Sequence, residues 1–272
     1  MPGKTRRAFS FEQGLSLVLG VALLGLFAAA LQHRQLEPVI VAESSALEPI
    51  AVFPDFASIP EVEVKKQMFF DFLELYIIAE NHKLESDRAL LLSYADIASQ
   101  NFRLSRTERR KLMAMAGQFK VDPEGRSEKQ LIYELLKRVD SIPVSLALAQ
   151  AANESAWGTS RFALEGNNIF GQWCYDEGCG LVPNRRANSA RHEVRSFDTI
   201  EKAVQAYFEN LNTHEEYSHF RELRAQMRDQ KGALDSLVLA YGLAGYSERG
   251  EHYVDELQTI IQQNGLRNRD KI

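Results

Sequence analysis

The feature that most limits this chain is an uncharged stretch near its start. No charged residue stands between Glu12 and His33, and Gly14 to Leu31 is apolar or small throughout apart from Ser16. A run of this length suits a helix crossing a hydrocarbon core of about 30 Å and does not suit the surface of a globular domain. Lys4, Arg6 and Arg7 precede it, so the positive-inside bias places the N-terminus in the cytoplasm and everything after residue 32 beyond the membrane. Residues 1–32 are therefore expected to form a cytoplasmic tail and a retained anchor. Ala28-Ala29-Ala30 offers a small-residue cleavage pattern, which makes a removed signal the alternative.

Export sets the chemistry expected of the rest. The 272 residues are 45% hydrophobic and 25% charged, which excludes collagenous and disordered chains. A net charge of −5 with scattered Lys and Arg gives no basic stripe, so no nucleic-acid partner is expected. Cys174 and Cys179 are the two cysteines. In an oxidising compartment their short loop is expected to close as a disulfide, the alternative being two free thiols. His192 and His214 have no partner at metal-ligand spacing, so neither metal nor cofactor is expected.

Residues 33–60 carry Pro38, Pro49, Pro54 and Pro60 without helical or strand periodicity and read as a tether. Residues 61–126 read as a helical support region. Val64 to Glu80 is too apolar for a solvated helix, and Ser105 with Glu108 forms a capping box ahead of Leu112, Met115, Ala116 and Phe119. A main domain is expected over 127–266. Ser127 with Gln130 opens one helix, and another starts near Ser141, with Pro143 in its first turn and Gly158 as its stop. Gly166 to Phe197 reads as a small irregular or hairpin lobe with one period-2 segment, His192 to Phe197. Asp198 with Glu201 caps a further helix, and the patterns ending at Gly242 and Gly265 give two more. The fold class is α+β, predominantly helical.

One residue breaks the pattern. Ala147, Ala151 and Glu154 share a face at i, i+4 and i+7, which puts a carboxylate on an apolar surface. Desolvation disfavours the charged form and raises the pKa, the condition under which a Glu serves as a general acid near neutrality. By spacing alone, a Glu in a last helical turn simply reaches solvent.

The surrounding string decides otherwise. Glu154-Ser155-Ala156-Trp157-Gly158, followed by Asn167-Asn168-Ile169-Phe170-Gly171, resembles the paired signatures of the bacterial peptidoglycan glucosaminidases, glycoside hydrolase family 73. Tyr207 to His214 with Tyr217, and Gly245-Tyr246-Ser247 through Tyr253 to Ile261, are similar to that family's later helices. The Val139-Asp140 lead-in, the cysteine pair and the N-terminal segment resemble its Bax-type members in Gram-negative bacteria. The resemblance implies a lysozyme-like domain with a small β-lobe and hydrolysis of the β-1,4 bond after N-acetylglucosamine, with peptidoglycan strands as partner. It implies an inner-membrane protein whose domain lies in the periplasm, or a periplasmic one after signal cleavage.

By the same resemblance Glu154 matches the general acid, and Asn168, Phe170 and Gly171 match the cleft-lining motif. Tyr246 matches the cleft tyrosine, while Trp157 and Phe170 are candidates for stacking on sugars and Tyr253 for binding substrate. Glu193, five residues before Asp198, occupies about the position of a second carboxylate; it is otherwise a partner for Arg191 or Arg195 on a solvated hairpin. Should no second carboxylate stand near, the substrate's own N-acetyl oxygen is the nucleophile. Arg185, Arg186, Arg191 and Arg195 form a local basic cluster suited to the carboxylates of peptidoglycan. Two other readings compete: a lytic transglycosylase, which also works with one Glu, and a non-catalytic wall-binding protein, which has no need of Glu154. The oligomeric state is not legible in the sequence.

Overall fold

Helix α1 spans Val62–Ser99, and the apolar density noted in its first half is spent on burial: Phe69, Phe70, Leu73, Tyr76 and Ile77 are all removed from solvent. This is a computed structural model, and it describes residues 50–270 apart from 101, 185, 187–190 and 231. The expected membrane segment and most of the tether lie outside the described residues. Among the described residues, no helix is long and apolar enough to cross a membrane.

Two capping boxes appear where the sequence places them. Ser105 with Glu108 opens α2 (Arg106–Gln118), and Ser127 with Gln130 opens α3 (Glu128–Arg138). The next helix, α4 (Val144–Ser155), has Pro143 as its N-cap rather than inside its first turn. Its end differs from expectation too. Ala156 and Trp157, at φ 51° and 54°, turn the chain out through the left-handed region before Gly158 is reached. Gly158 is needed for space: a Cβ there would fall 2.5 Å from the Phe53 ring.

Helix α5 (Arg161–Gly166) leads into three short strands, β1 (Trp173–Cys174), β2 (Gly180–Leu181) and β3 (Glu193–Arg195). They form an antiparallel sheet in the order β1-β3-β2, with Cys174 opposite Glu193 and Leu181 opposite Val194. Helix α6 (Ile200–Thr213) is capped by Thr199, whose hydroxyl accepts from Lys202 N, and not by Asp198 as expected. Helix α7 (Ser218–Asp229) follows, then a four-residue α8 (Ser236–Leu239) that continues as a 3-10 helix to Tyr246 instead of one regular helix. Helix α9 (Glu251–Gln263) ends ahead of Gly265.

Helix α4 is the centre of the fold, with ten of its residues buried. It lies against α1 and α9, while α1 also packs on α3 and α6. The support region and the main domain are thus joined through shared packing in one compact unit, with no gap at 126–127. Nor are residues 50–60 a free tether. Phe53 and Phe56 are buried against Phe69 and Phe72 of α1, Ile50 O accepts from Ile200 N, and Ala51 O accepts from Asn167 Nδ2.

A buried charge cluster fixes the start of α4. Asp140 accepts two hydrogen bonds from Arg228 and lies 3.3 Å from Arg88. The guanidinium of fully buried Arg224 donates to the carbonyls of Asp140, Ser141 and Lys137. Burial alone would raise the Asp140 pKa, but the three arginines hold it below its ordinary value.

Candidate active site

Glu154 stands in the last turn of α4, where its Oε1 is buried with no hydrogen-bond partner. Burial pushes its pKa up. The Tyr253 hydroxyl facing the carboxyl and the charge of Arg249 act against that rise, and Glu256 adds to it. The carboxyl is approached by the backbone of the loop after α5. Gly171 has φ +65°, and a Cβ built there would stand 3.1 Å from Glu154 Oε2.

That loop is pinned from two sides. Asn168 is buried; its Nδ2 donates to Gln172 O at 2.8 Å and Arg195 O at 2.7 Å, and its Oδ1 accepts from Gln172 N. Tyr246 donates its hydroxyl proton to Phe170 O at 2.7 Å. Asn168 is therefore a brace that ties the loop to β3. Phe170 is not open to a sugar: it is buried and stacks on Tyr207 with ring centroids 3.9 Å apart. Trp157 faces away as well, its ring lying under Lys66 of α1. Tyr253 is fully buried, so what it meets is the Glu154 carboxyl and not solvent.

A cavity of about 490 Å³ opens beside Gly171, walled also by Trp173, Tyr175, Arg195, Tyr217 and Tyr246. Trp173 and Tyr175 are exposed, and Trp173 stacks on His192 at 4.1 Å. Burial drives the Tyr217 phenol up to about 12, with Glu216 and Glu154 contributing, and burial also raises Tyr246. Both are neutral hydroxyls at physiological pH. Sequence reasoning missed Trp173 and Tyr175, although two aromatics flanking Cys174 in a polar loop were a signal. It also missed Gln150, one turn before Glu154 on the same helix.

The second expected carboxylate belongs elsewhere. Glu193 is buried on β3, with Oε1 accepting from Gly178 N and Oε2 from Gly180 N at 2.8 Å. Those amides hold its pKa below the ordinary value. It therefore clamps the loop that the Cys174–Cys179 disulfide closes, rather than pairing with Arg191 or Arg195 on a solvated hairpin. The charged groups acting on Glu154 are Arg249 and Glu256, not Glu193. Glu193 and the two sulfurs lie within 4.8 Å of one another, but sulfurs committed to a disulfide are not the thiolates that bind metal. Of the basic cluster, Arg195 reaches the cavity, Arg186 donates to the carbonyls of Arg191 and His192, and Arg185 lies outside the described residues.

A family model described as Glucosaminidase, mannosyl-glycoprotein endo-beta-N-acetylglucosaminidase, matches residues 129–266. The chain belongs to the glucosaminidase family. This glucosaminidase is 33% identical over 211 residues to the protein bax of Escherichia coli K12, a match covering 78% of this chain and 74% of that one. It is also similar to the crystal structure of the catalytic domain of the autolysin Auto from Listeria monocytogenes. That similarity has a TM-score of 0.37 and 18% identity, and covers 65% of this chain and 96% of the other. The glucosaminidase is by its family a glycoside hydrolase, and both matched signatures converge on Glu154 and Gly171.

Proposed function

We propose that this chain is an exported peptidoglycan hydrolase, an endo-β-N-acetylglucosaminidase that cleaves the β-1,4 bond after N-acetylglucosamine with Glu154 as general acid. The observation that carries the reading is the approach of Gly171 to Glu154: a carboxyl with one oxygen fully buried lies against a glycine that leaves its stretch of the cavity wall without a side chain. A carboxyl raised in this way holds its proton further toward neutrality and delivers it to the leaving glycosidic oxygen as the oxocarbenium-like transition state develops. Family membership supports the bond cleaved. Trp173 and Tyr175, exposed at the cavity rim, suit the apolar faces of sugar rings.

The second catalytic group, on this reading, comes from the substrate. A carboxylate nucleophile would have to lie about 5–5.5 Å from the acid. Glu193 is engaged by loop amides, and Glu256 is ion-paired with Arg249 at 2.5 Å. The N-acetyl oxygen of the sugar serves as the internal nucleophile on this reading, and a thiazoline mimic of the cyclised sugar is expected to inhibit. The uncharged run from Gly14 to Leu31, with basic residues before it, supports an inner-membrane anchor and a periplasmic domain.

The test is mass spectrometry of the fragments that the detergent-solubilised full chain releases from purified peptidoglycan, beside Glu154→Gln. Reducing-end N-acetylglucosamine from the parent and none from the variant is the expected result. Anhydro-muramic ends would move the reaction to the lytic transglycosylases, and equal release by both proteins would remove Glu154 from the mechanism.

A further inference from the structure

Behind Glu154 lies a chain of buried hydrogen bonds that the catalytic reading does not use. Tyr207 on α6 donates its hydroxyl proton to Gln150 Oε1 at 2.7 Å, and Gln150 Nε2 donates to the Tyr253 hydroxyl oxygen at 2.9 Å. All three side chains are removed from solvent. Gln150 and Glu154 are four residues apart on α4 and so share a face. An amide can serve Tyr253 as donor or as acceptor, and the choice matters. The carboxylate end sets the direction: an ionised Glu154 only accepts, so Tyr253 keeps its proton for that side and takes the amide N–H₂, which leaves the amide oxygen to the Tyr207 proton. With its oxygen already accepting from Gln150, Tyr253 has its own proton left for the neighbouring Glu154 carboxyl, whose buried Oε1 has no other hydrogen-bond partner among the described residues.

We infer that Gln150 is a positioning residue that orients the Tyr253 hydroxyl as a donor to Glu154, and so sets how firmly the catalytic carboxyl holds its proton. This rests on the reading of Glu154 as general acid. A donor aimed at a carboxyl favours its ionised form, and a donor polarised by a bond at its own oxygen is a stronger one. The array opposes the rise caused by burial, keeping the acid releasable. The other groups facing Glu154 are Arg249 in the loop before α9, Glu256 on α9, Tyr217 on the turn after α6, and Tyr246; the Tyr253 ring stacks on Tyr246 and lies under Arg249, whereas the side-chain hydrogen bonds of Gln150 run to Tyr207 and Tyr253.

The test uses the full chain in detergent, with kcat/KM followed against pH and the Glu154 carboxyl titrated by ¹³C NMR, its signal identified by its loss in Glu154→Gln. Gln150→Met removes both hydrogen bonds at similar volume. It is expected to move the alkaline limb and the carboxyl titration together to higher pH by about one unit, the size of one charge-assisted hydrogen bond. Tyr253→Phe moves both by as much or more, and adding Gln150→Met to it moves them no further. Tyr207→Phe, which keeps the stacked ring and never contacts Glu154, moves both in the same direction and serves if Gln150→Met does not fold. A carboxyl titration that moves without the pH limb supports the array and overturns the general-acid reading instead. An unmoved titration in both Gln150→Met and Tyr207→Phe, whatever their activity, overturns the inference.

Discussion

Gly171→Ala isolates the contact on which the site depends. Two costs add at this position and can be separated. The first is conformational: at φ +65° an alanine occupies the left-handed region, at about 1–2 kcal/mol relative to glycine. For a folded unit of this size that corresponds to a Tm lower by roughly 2–8 °C, at 2–4 °C per kcal/mol. The second is steric. The new Cβ would stand 3.1 Å from Glu154 Oε2, a few tenths of an ångström inside ordinary contact, so the carboxyl or the loop must yield. The loop is held by Asn168 and by the Tyr246 hydroxyl, so the carboxyl moves. On the role proposed for Glu154, its displacement costs on the order of 100-fold in turnover. Gly125→Ala is the matching control: its φ is +70°, and nothing lies within 4 Å of the added atom. Thermal unfolding and fragment release, measured on both, are expected to show similar losses of Tm and a turnover defect in Gly171→Ala alone. A Gly171→Ala protein with parental kcat would show that the approach of this glycine to Glu154 is not what the reaction requires.

Glu193→Gln keeps the side chain's volume but sets its N–H₂ against one of the two loop amides, so it is expected to lower Tm while leaving kcat within about tenfold, whereas Glu154→Gln loses about 10²–10⁴; thermal unfolding and initial rates on purified glycan strands check the pair. Replacing Cys174 and Cys179 by serine loosens the loop that carries Trp173 and Tyr175, and is expected to raise KM several-fold with kcat little changed. Asp140→Asn breaks a buried ion cluster and is expected to cost about 3–5 kcal/mol by urea unfolding at neutral pH. Because the folded pKa of Asp140 is depressed, its contribution is present above its unfolded pKa of about 3.9 and is lost as pH falls through the folded value. The stability gap between parent and variant should therefore narrow in acid and persist toward pH 7.

Much of the frame was legible because it is local. The two capping boxes, the helix after Pro143 and the strand at Glu193–Arg195 are written in neighbouring residues, and so was the out-of-place Glu154. What could not be read depends on distant partners. Helix α7 buries Phe220 together with Arg221 and Arg224, two charged residues that no apolar pattern marks as interior; carbonyls of α3 and its exit loop accept from Arg224, and those of Leu211 and His214 from Arg221. Glu193 looked like a catalytic group by position, but its burial against the amides of 178 and 180 is set by the strand order β1-β3-β2. Phe170 and Trp157 had the right chemistry for sugars and the wrong orientation. Gln150 was visible as a polar residue in an apolar helix, but its meaning needed Tyr207 and Tyr253, 57 and 103 residues away.

The rings of Phe53 and Phe56 bear on where this enzyme begins. The family match starts at residue 129, but a protein cut to that border would lack α1 and the two phenylalanines under the turn that ends the Glu154 helix. Emptying either ring's place costs about 3–5 kcal/mol, a large part of what a domain has to spare. The boundary of shared ancestry and the boundary of self-sufficient folding thus fall some eighty residues apart. A fragment meant to stand alone must keep the short strip from residue 50 that plugs the floor beneath the turn after Glu154.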